Sequence, residues 1–173
     1  MREIKPILSD IQSSIEHNSD KIKWVPLENI HMTLSFIGNI FLDDIPKLIR
    51  TLKAELTTSH FIVSIEKTGV FPSIIFPKIL WMGIGNGTQK LIKLYKKVEK
   101  AITVFNVVRM NKDFVPHITI GKIAGSYGKI DVLPFMKYVY SPRELKVNYV
   151  VLYESQLLPE GTKYKVLTKL PLN

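Results

Sequence analysis

Apolar residues recur along this chain in two rhythms, one every three to four positions and one at alternate positions. Ile4, Ile7, Leu8, Ile11 and Ile15 fall on one side of a helix, which predicts an amphipathic helix over residues 4–16. A second helical stripe, Ile45, Leu48, Ile49, Leu52 and Leu56, follows Asp43 and Asp44, two residues suited to capping a helix start. A third, Leu91, Leu94, Tyr95, Val98 and Ile102, predicts a helix over residues 88–104 after the turn Gly85-Asn86-Gly87. The alternating rhythm marks strands: His31–Phe36, Phe61–Gly69, His117–Ile123, Val147–Glu154 and Tyr164–Leu170, with Trp24-Val25-Pro26 as a short extended piece. Ile79–Ile84 is almost continuously apolar, the pattern of a strand covered on both faces. Phe71–Pro77 reads as a proline-bounded loop, and Gly125-Ser126-Tyr127-Gly128 as a second loop before a short segment ending at Pro142.

The resulting order mixes helices with antiparallel strands, which makes the chain α+β. Its 173 residues suffice for one domain with its own core, and no low-complexity linker divides them. No apolar run reaches the roughly 20 residues that span a bilayer. The start, Met1-Arg2-Glu3-Ile4-Lys5-Pro6, lacks a secretory pattern, so a cytoplasmic location and no membrane partner are expected. There is no cysteine, which removes disulfides, thiolate metal ligands and a thiol nucleophile from consideration. A net charge of +9, from 24 Lys and Arg against 15 Asp and Glu, favours polyanionic partners without identifying one.

The chemistry sits in a repeated tetrad, His31-Met32-Thr33-Leu34 and His117-Ile118-Thr119-Ile120, whose copies lie 86 positions apart (117 − 31 = 86). Strand side chains alternate between faces. Each copy therefore offers an imidazole and a hydroxyl side by side, while Met32, Leu34 and Phe36, like Ile118 and Ile120, point the other way into a core. With four His and ten Thr in the chain, chance yields about 0.2 His-x-Thr matches, so two in matching context are informative. Two imidazoles suit an in-line displacement at phosphorus, one taking a proton from water and one giving a proton to the leaving oxygen. Two threonine hydroxyls can hold the non-bridging oxygens. Such a site needs no metal and no cofactor. Neither tetrad carries a second His, Asp or Glu at ligand spacing, which disfavours the competing metal site. His17 and His60 lack this context and read as surface residues. Phe76, Tyr127 and Tyr140 are candidate base-stacking aromatics, although plain packing is the simpler role for each.

With these motifs the chain resembles the 2H phosphoesterase superfamily, and within it the RNA 2′,3′-cyclic phosphodiesterases, also called 2′-5′ RNA ligases. The first motif block is similar to residues 24–38. The central block is similar to Val70-Phe71-Pro72-Ser73 with residues 79–84. The second motif matches residues 114–122, and the ending matches residues 152–157 with Gly161 and Tyr164. The resemblance implies a bilobed fold of two pseudo-symmetric antiparallel-sheet lobes, with helices packed outside and the active site in the cleft between the lobes. It implies hydrolysis of an RNA 2′,3′-cyclic phosphate to a 2′-phosphomonoester by a monomer, on RNA ends that include those of tRNA. His31 would be the proton donor, His117 the proton acceptor, and Thr33 and Thr119 the phosphate ligands. Two other readings remain open: a module that binds RNA ends without turnover, and the same chemistry on 2′-5′ linked oligonucleotides, including reversible joining of tRNA halves. Where the family often has Arg, this chain has Lys122, which keeps the charge but not the planar bidentate grip. The family's short strand before the first helix is missing from this sequence, which leads us to expect a natural start further upstream.

Overall fold

The computed structural model describes residues 4–15, 21–105, 113–123, 130–159 and 161–173. Helix α1 spans Lys5–Ser13, strand β1 Ile22–Trp24, helix α2 Ile45–Glu55, strand β2 Phe61–Pro72 and strand β3 Pro77–Ile84. Helix α3 spans Thr88–Ile102, strand β4 His117–Ile123, helix α4 Leu133–Met136, and strands β5, β6 and β7 Arg143–Val147, Tyr149–Leu158 and Gly161–Pro171. The chain is thus α+β, with antiparallel pairing between β1 and β4, β2 and β3, β3 and β4, and β6 and β7. One sheet has five strands in the order β1-β4-β3-β2-β5, and β6 and β7 form a second sheet of two.

The chain divides into two compact units. The first comprises Met1–Thr33, Val63–Gly87 and Pro116–Leu145, and the second Leu34–Ile62, Thr88–Val115 and Lys146–Asn173. In the first, Ile7, Leu8 and Ile11 of α1 are buried, as are Leu80, Met82, Ile118 and Ile120 on one face of the large sheet. Full burial of such an aliphatic side chain contributes about 1.5–3 kcal/mol. The buried hydroxyl of Thr68 donates to the Phe135 carbonyl at 2.8 Å, which ties β2 to α4 without leaving a polar group unpaired. In the second unit, Leu48 and Leu52 of α2 and Leu91, Leu94, Val98 and Ile102 of α3 are buried at the expected helical spacing. Tyr95 is only half-buried and stacks on Phe114, with centroids 4.4 Å apart.

Four expectations are corrected. Residues 33–40 form no strand, and the segment after Ile30 pairs only through a single bridge between Met32 and Ile118. The reason is local: Thr33 is the last residue of one unit and Leu34 the first of the other, so pairing with β4 stops there. Phe36 accordingly lies 71 % exposed rather than in a core. Asp44 makes no side-chain cap to α2 and instead closes a 3₁₀ turn over Leu42–Asp44, with Pro46 starting the helix. The proline-bounded loop is shorter than its prolines suggest, because β2 runs to Pro72 and β3 resumes at Pro77, paired with each other. The Gly125–Gly128 loop and His17 lie outside the described residues.

Tyr140 carries a pH-dependent term of this fold. Its hydroxyl donates to the Lys67 carbonyl at 3.1 Å. Burial pushes the phenol's pKa well above its usual value, and the Glu66 carboxylate adds to the shift. The folded state thus favours the protonated phenol. Its stabilising share is fully present below the unfolded value of about 10 and is lost as pH rises beyond it. Melting temperature should therefore fall more steeply above about pH 10 in the wild type than in Tyr140→Phe. Parallel slopes for the two proteins would contradict this.

Candidate active site

The five residues singled out for chemistry, His31, Thr33, His117, Thr119 and Lys122, all belong to the first unit. What brings the two tetrads together is a detour in the chain. On its outer side, β4 pairs first with β1, with Trp24 opposite Gly121. The backbone then leaves the ladder through Pro26 and a 3₁₀ turn at Leu27–Asn29, and rejoins it at Met32 opposite Ile118. Partner numbers sum to 145 before the turn (24 + 121) and to 150 after it (32 + 118), so the turn absorbs five residues.

Antiparallel register then fixes the rest. With Met32 opposite Ile118, His31 faces Thr119 and Thr33 faces His117. Each imidazole lies across from the other tetrad's threonine. Ile118 is fully buried on the core face, so these four side chains share the opposite face, each half-buried. The histidines are diagonal neighbours, with backbones about 7–8 Å apart by standard sheet geometry, which leaves room for one phosphate between their rings.

Neighbouring strands extend the face into rows. Gly83 of β3 is opposite His117, Trp81 is opposite Thr119, and Ile79 is opposite Lys122. On β2, Lys67, Gly69 and Phe71 continue the same three rows. Lys122 reaches this face only because of a β-bulge. Between Trp81 and Leu80 the partner on β4 jumps from Thr119 to Gly121, leaving Ile120 as an extra residue. In an unbroken strand Lys122 would share parity with the buried Ile118 and Ile120. The bulge turns it back beside Thr119 and His117, exposed at the end of the face.

The two histidines differ in their surroundings. His31 Nδ1 lies 2.7 Å from the Asn29 carbonyl oxygen. A carbonyl only accepts, so Nδ1 carries a proton and donates it, and proton exchange belongs to Nε2. The ring of His117 instead meets two aromatics. Phe71 stands edge-on to it with centroids 5.0 Å apart, and Trp81 lies 6.2 Å away. Phe71 and Trp81 also pack together at 5.1 Å. The Trp81 indole nitrogen is buried with no hydrogen-bond partner among the described residues.

Two glycines make space for that indole. A Cβ on Gly69 would come within 2.1 Å of the Trp81 ring, and one on Gly83 within 2.9 Å. Gly69→Ala should therefore push Trp81 off the sheet and cost about 1–3 kcal/mol of stability. Chemical denaturation checks this, and a Gly69→Ala protein as stable as wild type would show that the ring does not depend on the gap.

Phe76 is exposed at the β2–β3 turn, His60 is exposed, Tyr140 is held by its bond to Lys67, and Tyr127 lies outside the described residues. Among the described residues, no three His, Cys, Asp or Glu side chains gather as metal ligands.

Comparison with known proteins agrees with this arrangement. Residues 1–81 match the family model described as LigT-like phosphoesterase. An RNA 2′,3′-cyclic phosphodiesterase of Aquifex aeolicus is 33 % identical over 150 residues, covering 84 % of this chain and 79 % of that protein. The chain belongs to the LigT-like phosphoesterases. A second relative of this phosphoesterase, from Thermotoga maritima and bearing the same name, is 30 % identical over 95 % of this chain and 87 % of its own. Crystal structures share the fold. A Thermus thermophilus protein superposes with a TM-score of 0.80 at 22 % identity, over 99 % of this chain and 93 % of its own. Escherichia coli LigT complexed with 3′-AMP gives 0.69 at 20 %, over 95 % and 92 %.

The aromatic wall of the phosphoesterase, Phe71 and Trp81, was not evident from alternation alone. Gly69 and Gly83, each inside a strand, were the available signal, since glycine within a strand often marks the close approach of another group.

Proposed function

We propose that this phosphoesterase hydrolyses the 2′,3′-cyclic phosphate at an RNA end to a 2′-phosphomonoester, with His31 and His117 as acid and base and no metal or cofactor. The observation that carries the reading is the Met32–Ile118 bridge, which sets the two His–Thr tetrads crosswise on one face. Relatives named RNA 2′,3′-cyclic phosphodiesterase supply the substrate class.

In the step proposed, a water oxygen attacks phosphorus while His117 takes the water's proton. The P–O3′ bond breaks in line, and His31 gives its Nε2 proton to the departing 3′ oxygen. His31 is left as the Nδ1–H tautomer, still donating to Asn29, so proton loss breaks no hydrogen bond. Thr33 and Thr119 donate to the non-bridging oxygens, where charge sits in the transition state. Lys122, one row beyond Thr119, places positive charge against the substrate's phosphates. Both histidines end in the opposite protonation state and reset by proton exchange with solvent.

Incubating the purified protein with a nucleoside 2′,3′-cyclic phosphate tests this reading. Accumulation of the 2′-monophosphate is expected. Binding of a cyclic phosphate end without any turnover would replace it with the binding-module reading.

A further inference from the structure

The third row of the sheet face ends in a pair of like charges. Lys23 of β1 is directly opposite Lys122 of β4, and both side chains are exposed. They lie on the same face as His117 and Thr119, because Ile79 is opposite Lys122 and shares a face with Trp81, the partner of Thr119. Like charges directly opposite one another destabilise a sheet. Bringing an anion to the pair reverses that cost.

We propose that Lys23 and Lys122 form a second anion subsite for the phosphodiester on the 5′ side of the terminal nucleotide. Two paired positions separate Thr119 from Lys122, since the partner moves only from Trp81 to Ile79, a distance of about 7 Å along the strand. That span, extended by the lysine stems, matches one nucleotide of backbone between a phosphate held at the threonines and the next phosphate upstream. The ammonium groups act as point charges with three donors each, suited to a phosphodiester whose orientation is not fixed. Lysines have no acceptor and so offer little to a base edge. The inference rests on the hydrolytic reading of the His–Thr face given above. It adds that the protein prefers oligonucleotide ends to single cyclic nucleotides, which lack the upstream diester.

Lys23→Gln tests it on two substrates, an oligoribonucleotide ending in a 2′,3′-cyclic phosphate and a nucleoside 2′,3′-cyclic phosphate. For the oligonucleotide, KM should rise about tenfold with kcat unchanged, while Lys23→Arg stays near wild type. The slope of log kcat/KM against log salt should shrink by about 0.7, the share of one phosphate contact on a single strand. The nucleoside substrate should respond to neither change. Equal losses on both substrates, or an unchanged salt slope, would overturn the subsite. Binding of an oligoribonucleotide with a linear 3′-phosphate, followed by fluorescence anisotropy, separates this inference from the hydrolytic reading. Weaker binding by Lys23→Gln without turnover of either substrate would sink hydrolysis and keep the subsite. Equal binding by wild type and Lys23→Gln would sink the subsite whatever the activity.

Discussion

Replacing either histidine by alanine is expected to lower kcat about 10²–10⁴-fold, the range typical of a lost general acid or base. The prediction follows from geometry rather than from the presence of imidazoles alone. His31 and His117 lie diagonally on one sheet face, each across from the other tetrad's threonine. A base on one side of phosphorus and an acid on the other require opposite protonation states, so the wild-type pH–rate profile should be a bell. Each alanine variant should lose one limb of that bell. His31→Ala should lose the limb set by the proton donor, and His117→Ala the limb set by the acceptor. Both residues are half-buried, so melting temperatures need to be measured alongside turnover. A well-folded His117→Ala protein that turned over at close to the wild-type rate would show that the two rings do not work as a pair.

Thr119→Val should produce the second large effect, a fall in kcat of about 10²–10³-fold. Valine keeps the shape and strand preference of threonine but has no hydroxyl, so what is removed is a donor aimed at a non-bridging oxygen. The loss should appear mainly in kcat, because the hydrogen bond strengthens as charge gathers on that oxygen. Thr33 faces His117 as Thr119 faces His31, so Thr33→Val should behave alike. Steady-state kinetics of both variants on one cyclic phosphate substrate check this. A rise in KM with kcat intact would reassign the threonines to ground-state binding.

Much of this was legible in the sequence, for identifiable reasons. Helices α2 and α3 follow from apolar residues at helical spacing, since burying one stripe is what holds a short helix in place. Strand β4 and its tetrad follow from alternation, with Ile118 and Ile120 inward and His117 and Thr119 on the other face. Alternation misled at His31–Phe36 because it describes one strand's side chains and says nothing of which partner lies beside it. Only Met32 finds a partner in β4. It was equally silent on the bulge at Ile120, which decides the side on which Lys122 emerges. Lys23 carried no motif at all, and becomes visible only when register places it opposite Lys122. Long-range register is the missing quantity in each case, because it depends on how the intervening turn and bulge count residues.

The two-histidine hydrolysis meets its most direct test in one reaction. The wild-type protein is incubated with an RNA ending in a 2′,3′-cyclic phosphate, in ¹⁸O-enriched water and with a strong chelator present, and the product is read by mass and phosphorus NMR. The expected product is a 2′-phosphomonoester carrying a single ¹⁸O, formed at the same rate with and without chelator. A 3′-phosphate product, or a reaction abolished by the chelator, would contradict it.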